Sequence, residues 1–129
     1  MLNHLVRLLT LLVVLAASSQ AYSKPPIFID TAEDAFALSE DIKVDVLLVY
    51  TATWCGSCLV MKNDLNKNLD IIEDTIVCYV DYDKHIDMAK QYGVKTLPTY
   101  FLYSNKIEKK KGVGYKNLKK FKEWLKNDQ

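Results

Sequence analysis

Val46-Leu47-Leu48-Val49-Tyr50 is an unbroken apolar run in the middle of the chain. A strand with one wet face alternates apolar and polar residues. A run without alternation suits a strand covered on both faces, as inside a parallel sheet with helices above and below it. A fold with such a strand must supply two apolar layers, one on each face of it.

Lys24-Pro25-Pro26 is an extended lead-in, because proline restrains itself and the residue before it. Ile27-Phe28-Ile29 follows as a short strand. Asp30 or Thr31 caps a helix to about Ile42, with Glu33 and Asp34 placed for a capping box and Ala32, Ala35, Phe36 and Leu38 as its apolar contacts. Val44–Thr51 holds the central strand. After Trp54-Cys55-Gly56-Ser57-Cys58, a helix is expected with Cys58, Met61, Leu65 and Leu69 as one apolar stripe. Thr75–Val80 is a second β-rich run. Asp83–Tyr92 is a short helix with Ile86, Met88 and Ala89 inward, closed by Gly93. Thr99–Tyr103 is a third clear strand, and Ser104-Asn105 turns into an antiparallel edge strand, Lys106–Lys111. The charges of Lys109-Lys110-Lys111 guard that edge. Gly112-Val113-Gly114 reads as a loop, and Tyr115–Lys126 as a last helix burying Leu118, Phe121, Trp124 and Leu125. The order β-α-β-α-β-α-β-β-α predicts an α/β fold, a central mixed sheet flanked by helices on both faces.

Composition limits what else the chain can be. Of 129 residues, 50% are apolar and 26% charged, which excludes disorder and low-complexity repeats. Residues 1–21 read as a signal peptide: Arg7, the apolar run Leu8–Ala17 broken only by Thr10, and Ser19-x-Ala21 as a small-x-small cleavage site. The run is too short for a membrane span of roughly 20 residues. Cleavage after Ala21 leaves residues 22–129 as one domain, in a periplasmic or secreted setting. Arg7 is the only arginine, so its removal balances lysines against acids. The charge is uneven along the chain, acidic up to Ala89 and lysine-rich beyond. Lys116, Lys119, Lys120, Lys122 and Lys126 fit the wet side of the last helix. Without arginine to fork onto phosphates, a nucleic-acid partner is not expected.

The chemistry is concentrated in Cys55 and Cys58. Two cysteines this close make a poor structural staple, because they close almost no loop. They sit where the central strand hands over to a helix, the carboxyl end at which open α/β sheets usually place their sites. There the free N–H groups and the positive end of the helix stabilise a thiolate. The thiolate is the nucleophile of disulfide exchange. Cys55 is thus the attacking thiol and Cys58, three positions on, the resolving one. Gly56 and Ser57 are small enough to let another chain approach. A zinc site would need two further ligands, and Cys78, His85 and His4 are the only candidates. No metal is expected. Cys78, mid-strand, reads as core, His85 as solvent-facing, and Tyr50, Tyr79 and Trp124 as packing residues.

Trp54-Cys55-Gly56-Ser57-Cys58 after a buried strand, with Thr96-Leu97-Pro98-Thr99 some forty residues later, resembles the thioredoxin family over about Ile27 to Leu125. The resemblance implies a thioredoxin-like fold and thiol–disulfide oxidoreductase activity, with no cofactor beyond the Cys55–Cys58 couple. It implies a cis Pro98 against the cysteines, and a Leu97 whose backbone binds an extended substrate peptide. Trp54 and the Gly112-Val113-Gly114 loop would complete the groove. The expected substrate-binding set is therefore Trp54, Gly56, Ser57, Thr96, Leu97, Pro98 and Gly114. The sequence departs from the family at Val49 and Tyr79, where a buried Asp and its Lys partner would stand, and at Ser57, where Pro is usual. Reduction of exported proteins' disulfides by a monomer, recharged by a membrane thiol donor, is the leading expectation. A disulfide donor or isomerase is the alternative, and a binding module without turnover is the third reading.

Overall fold

A computed structural model describes residues 24–127. The signal peptide expected over residues 1–21, and its cleavage point, lie outside the described residues. Strand β1 (Ile27–Ile29) leads into helix α1 (Ala32–Ile42), and β2 (Asp45–Thr51) into α2 (Gly56–Lys67). A 3-10 turn (Leu69–Ile72), β3 (Thr75–Asp81) and α3 (Ile86–Gln91) come next, then β4 (Thr99–Ser104), β5 (Ile107–Val113) and α4 (Leu118–Lys126). The sheet order is β1-β3-β2-β4-β5, with β1, β2 and β3 parallel and β4 and β5 antiparallel. This is the mixed sheet expected.

The central run is buried throughout, from Val46 to Tyr50. Its alternation sorts the side chains into two cores. Val46, Leu48 and Tyr50 face one cluster with Ala35, Ala89 and Phe101. Leu47 and Val49 face the other, with Met61, Leu65, Tyr100 and Phe121. α1 and α3 therefore cover one face, and α2 and α4 the other. The N-cap of α1 is Thr31, whose Oγ1 accepts from the Asp34 N–H at 3.2 Å and donates to the Asp34 carboxylate at 2.6 Å. Lys43 closes the helix in the left-handed region at φ 55°.

Several local expectations are corrected. α2 stops at Lys67, so Leu69 leaves the stripe and is exposed, and the 3-10 turn buries Ile72 instead. α3 starts only at Ile86 and buries Ala89 alone, leaving Ile86 and Met88 exposed. A helix this short presents one residue to a sheet already filled by β2 and β4 side chains. The last helix begins at Leu118, because the Asn117 side chain accepts from the Lys120 N–H at 2.9 Å and sets the cap. It buries Phe121 fully; Leu118, Trp124 and Leu125 are half-buried, and so is Lys122. β5 runs through Gly112 and Val113, which pair with Tyr100 and Thr99, so these two residues are strand and not loop.

Lys110 is the largest departure from the edge-charge reading. It is only 8% exposed, and its Nζ donates to the carbonyls of Trp124, Leu125 and Asn127 at 3.0, 2.7 and 3.1 Å. The ammonium thus satisfies the free C=O groups at the end of α4 and sits at the negative end of its dipole. Lys110→Met keeps the aliphatic stem and removes the donor. It is expected to lower stability by about 2 kcal/mol, seen as a lower urea midpoint at unchanged slope.

The tyrosines make the fold alkali-sensitive. Burial pushes Tyr50, Tyr79 and Tyr103 up to about 12, and raises Tyr100 as well. Their unfolded value is near 10. The folded state favours the neutral phenol, so this contribution is complete below pH 10 and is lost as pH rises towards 12. The urea midpoint should fall over that window, with phenolate absorbance appearing together with unfolding.

Candidate active site

β2 ends at Thr51, and the next residues turn into α2. The Cys55 N–H donates to the Ala52 carbonyl at 3.1 Å, closing that turn. Cys55 is the N-cap of α2, with extended backbone (φ −90°, ψ 104°), and its Sγ accepts from the Cys58 N–H at 3.3 Å. A cysteine sulfur here holds the place a serine or aspartate oxygen takes in an ordinary cap. The Ser57 hydroxyl lies 3.5 Å from the same sulfur. Cys55 and Cys58 form a disulfide, with Cα atoms 5.3 Å apart. Once reduced, a Cys55 thiolate would keep the Cys58 N–H and the helix dipole as its stabilisers.

The disulfide packs in a small apolar cluster with Ala52, Tyr82 and Leu97. The Leu97–Pro98 peptide bond is cis and Pro98 is buried. The Gly114 N–H donates to the Pro98 carbonyl at 2.7 Å, with Gly114 at φ 76°. The left-handed backbone favours a residue without Cβ there. Thr96 is exposed, and its carbonyl accepts from the Thr99 hydroxyl. Trp54 stands out in solvent, its indole N–H donating to the Asp83 carboxylate at 2.8 Å. Gly56 and Ser57 are exposed at the start of the helix.

The seven residues expected to bind substrate thus come from the β2–α2 turn, the approach to β4 and the end of β5. Sequence reasoning did not single out Ala52, Tyr82 or Asp83. Asp83 follows β3 at the same carboxyl edge of the sheet as Cys55, and that edge was the signal that could have flagged it. The Asp81 carboxylate is occupied by its own turn, accepting from the Asp83 and Lys84 N–H groups at 2.9 and 3.3 Å.

Beneath α2 the sheet is apolar. Val49 lies in register with Tyr79 on one side and Tyr100 on the other, and is fully buried. Tyr79 stacks on Phe28, with the Lys62 ammonium 4.4 Å from its ring centre, and its hydroxyl has no partner among the described residues. Cys78 is a buried free thiol, pushed up to about 11 by burial first and then by the charge of Asp30, so it remains protonated and inert. Among the described residues no group of three or more His, Cys, Asp or Glu is arranged to hold a metal ion. A recess of about 730 Å³ between α1, α3 and the β4–β5 turn includes none of the cysteine cluster.

The family model for thioredoxin matches residues 29–127. The chain belongs to the thioredoxin family. Among curated thioredoxins, that of Mycoplasma genitalium is 31% identical over 83 residues, covering 64% of this chain and 78% of the relative. Thioredoxin Y1, chloroplastic, of Arabidopsis thaliana is 34% identical over 82 residues, and there the match spans 48% of the relative's length. Among solved structures, Schistosoma mansoni thioredoxin superposes with a TM-score of 0.62 at 29% identity, over 80% of this chain and 97% of that one. As a member of that family, the chain is a thiol–disulfide oxidoreductase carrying a Cys55–Cys58 disulfide. The family acts on protein disulfides.

Proposed function

We propose that this thioredoxin works outside the cytoplasm, where it reduces disulfides of exported proteins. The observation that carries the reaction is Cys55 at the N-cap of α2, its sulfur on the Cys58 N–H. In the reduced protein, the Cys55 thiolate attacks one sulfur of the substrate. The S–S bond breaks, and the other substrate sulfur leaves as a thiolate that takes a proton from water. A Cys58 thiolate then attacks Cys55 Sγ, and the first substrate sulfur departs. Two electrons have passed from the cysteine pair to the substrate, leaving the Cys55–Cys58 disulfide. A dithiol donor must return them, and outside the cytoplasm that donor is a membrane thiol protein. No cofactor beyond the pair enters the reaction.

The substrate's extended segment lies along Leu97 and Pro98, with Thr96 and Gly114 bordering it and Trp54, Gly56 and Ser57 beside the sulfur. The protein acts as a monomer. Arg7, the apolar run Leu8–Ala17 and Ser19-x-Ala21 support export. Leu97, apolar before Pro98, supports reduction over oxidation. The deciding measurement is the potential of the cysteine pair. A value near −270 mV is expected for a reductase, and one near −120 mV would make the protein a disulfide donor. N-terminal sequencing of protein recovered outside the cytoplasm should begin at Tyr22. A chain found only inside, still starting at Met1, defeats the export reading.

A further inference from the structure

We propose that Leu59 and Val60 form an additional wall of the substrate groove, one that selects disulfides flanked by a large apolar side chain. This deepens the reductase reading and rests on it. The inner stripe of α2 is complete without these two residues, since Cys58, Met61 and Leu65 are all buried. Leu59 and Val60 stand 52% and 51% exposed. Further along the helix the outward positions are polar: Lys62, Asn63, Asn66 and Lys67 are all exposed. Scattered apolar residues on a surface mean little. Here the apolar exposure is confined to the helix's start.

That start is where Cys55 lies. The Leu59 N–H donates to the Cys55 carbonyl at 3.2 Å, so Leu59 sits one turn above Cys55 and Val60 one turn above Gly56, roughly 6 Å along the axis. A side chain added at Gly56 would meet nothing within 4 Å, which leaves the approach between them open. Trp54, just before Cys55, is 67% exposed, and Val113, next to the Gly114 that holds Pro98, is 58% exposed. Cys55 itself is nearly buried, so a substrate sulfur reaches it only if its own chain lies close against the start of α2. The residues beside a substrate cysteine then rest on Leu59 and Val60. An apolar side chain there removes both partners from water, and a charged one loses hydration without recompense.

The test uses two disulfide-linked peptide substrates of equal length, one with leucine and phenylalanine beside the cysteine and one with serine. Wild-type protein should prefer the apolar peptide about tenfold in kcat/KM, equivalent to about 1.4 kcal/mol. The exposed, uncharged double substitution Leu59→Gln/Val60→Gln should bring that ratio close to one. A ratio unchanged by the double substitution overturns the inference, and so does wild-type protein that reduces both peptides equally. Wild-type protein that reduces neither peptide overturns the reductase reading on which the inference rests. A preference that appears only where sedimentation shows dimers, and vanishes on dilution, assigns the patch to a second copy of the chain and overturns it too.

Discussion

A Cys55→Ser variant is expected to lose reduction of an insulin disulfide by about a thousandfold or more, the scale on which enzymes lose rate when their nucleophile is removed. The hydroxyl would still cap α2, accepting the Cys58 N–H that the sulfur accepts now, so the fold should survive. Loss of activity at unchanged stability therefore isolates the chemistry. The companion variant Cys58→Ser separates the two cysteines' roles. Cys55 can still attack, but nothing resolves the intermediate, so a mixed disulfide with substrate should accumulate and disappear on adding dithiothreitol. If instead Cys55→Ser accumulates the mixed disulfide and Cys58→Ser does not, the attacking and resolving assignments are reversed. The buried Cys78, held protonated, should not take over in either variant.

Gly112→Ala is expected to cost about 3 kcal/mol, a large share of the stability of a domain this size. Gly112 faces Tyr100 across the β4–β5 ladder, and a Cβ on it would overlap the Tyr100 ring. The ring cannot simply swing aside. It packs edge-on against Phe121 and Trp124, at 5.3 and 4.7 Å between centroids, and its hydroxyl donates to the Gly114 carbonyl at 3.1 Å. Gly114 in turn holds Pro98. The substitution should therefore reach the groove as well as the core. Urea unfolding of Gly112→Ala alone and in a Tyr100→Leu background provides the check. In the second background the glycine change should cost under about 1 kcal/mol, because the clash is gone. A cost independent of Tyr100 would place the strain elsewhere.

Much of this architecture was legible in order and spacing. The uninterrupted run at Val46–Tyr50 announced a strand buried on both faces, and its position beside the cysteines placed them at the carboxyl edge of the sheet. Details that depend on contacts far apart in sequence were not legible. Lys109, Lys110 and Lys111 look alike as a charge run, yet only Lys110 points at the carbonyl end of a helix some fifteen residues later. Nothing local to Gly112-Val113-Gly114 distinguishes loop from strand. The pairing with Thr99 and Tyr100 does, and it exists only once the hairpin has closed. Ile86 and Ala89 have helical spacing, with Met88 adjacent, but the sheet beneath α3 has room for Ala89 alone. In the site, Trp54 was identified and its partner Asp83 was not, because their bond joins loops from neighbouring strands.

Val49 and Tyr79 have one more consequence, for proton traffic. The surface beneath α2 holds an alkyl chain and a phenol that keeps its proton up to about 12, so across ordinary pH it is electrically silent. It offers no reservoir from which a proton could be borrowed or in which one could be stored between half-reactions. The thiols must trade protons with water through the mouth of the groove, at the same opening the substrate occupies. Cys58 must lose its proton before it attacks Cys55, while the substrate is still attached, so resolution depends on water reaching the groove past the bound chain.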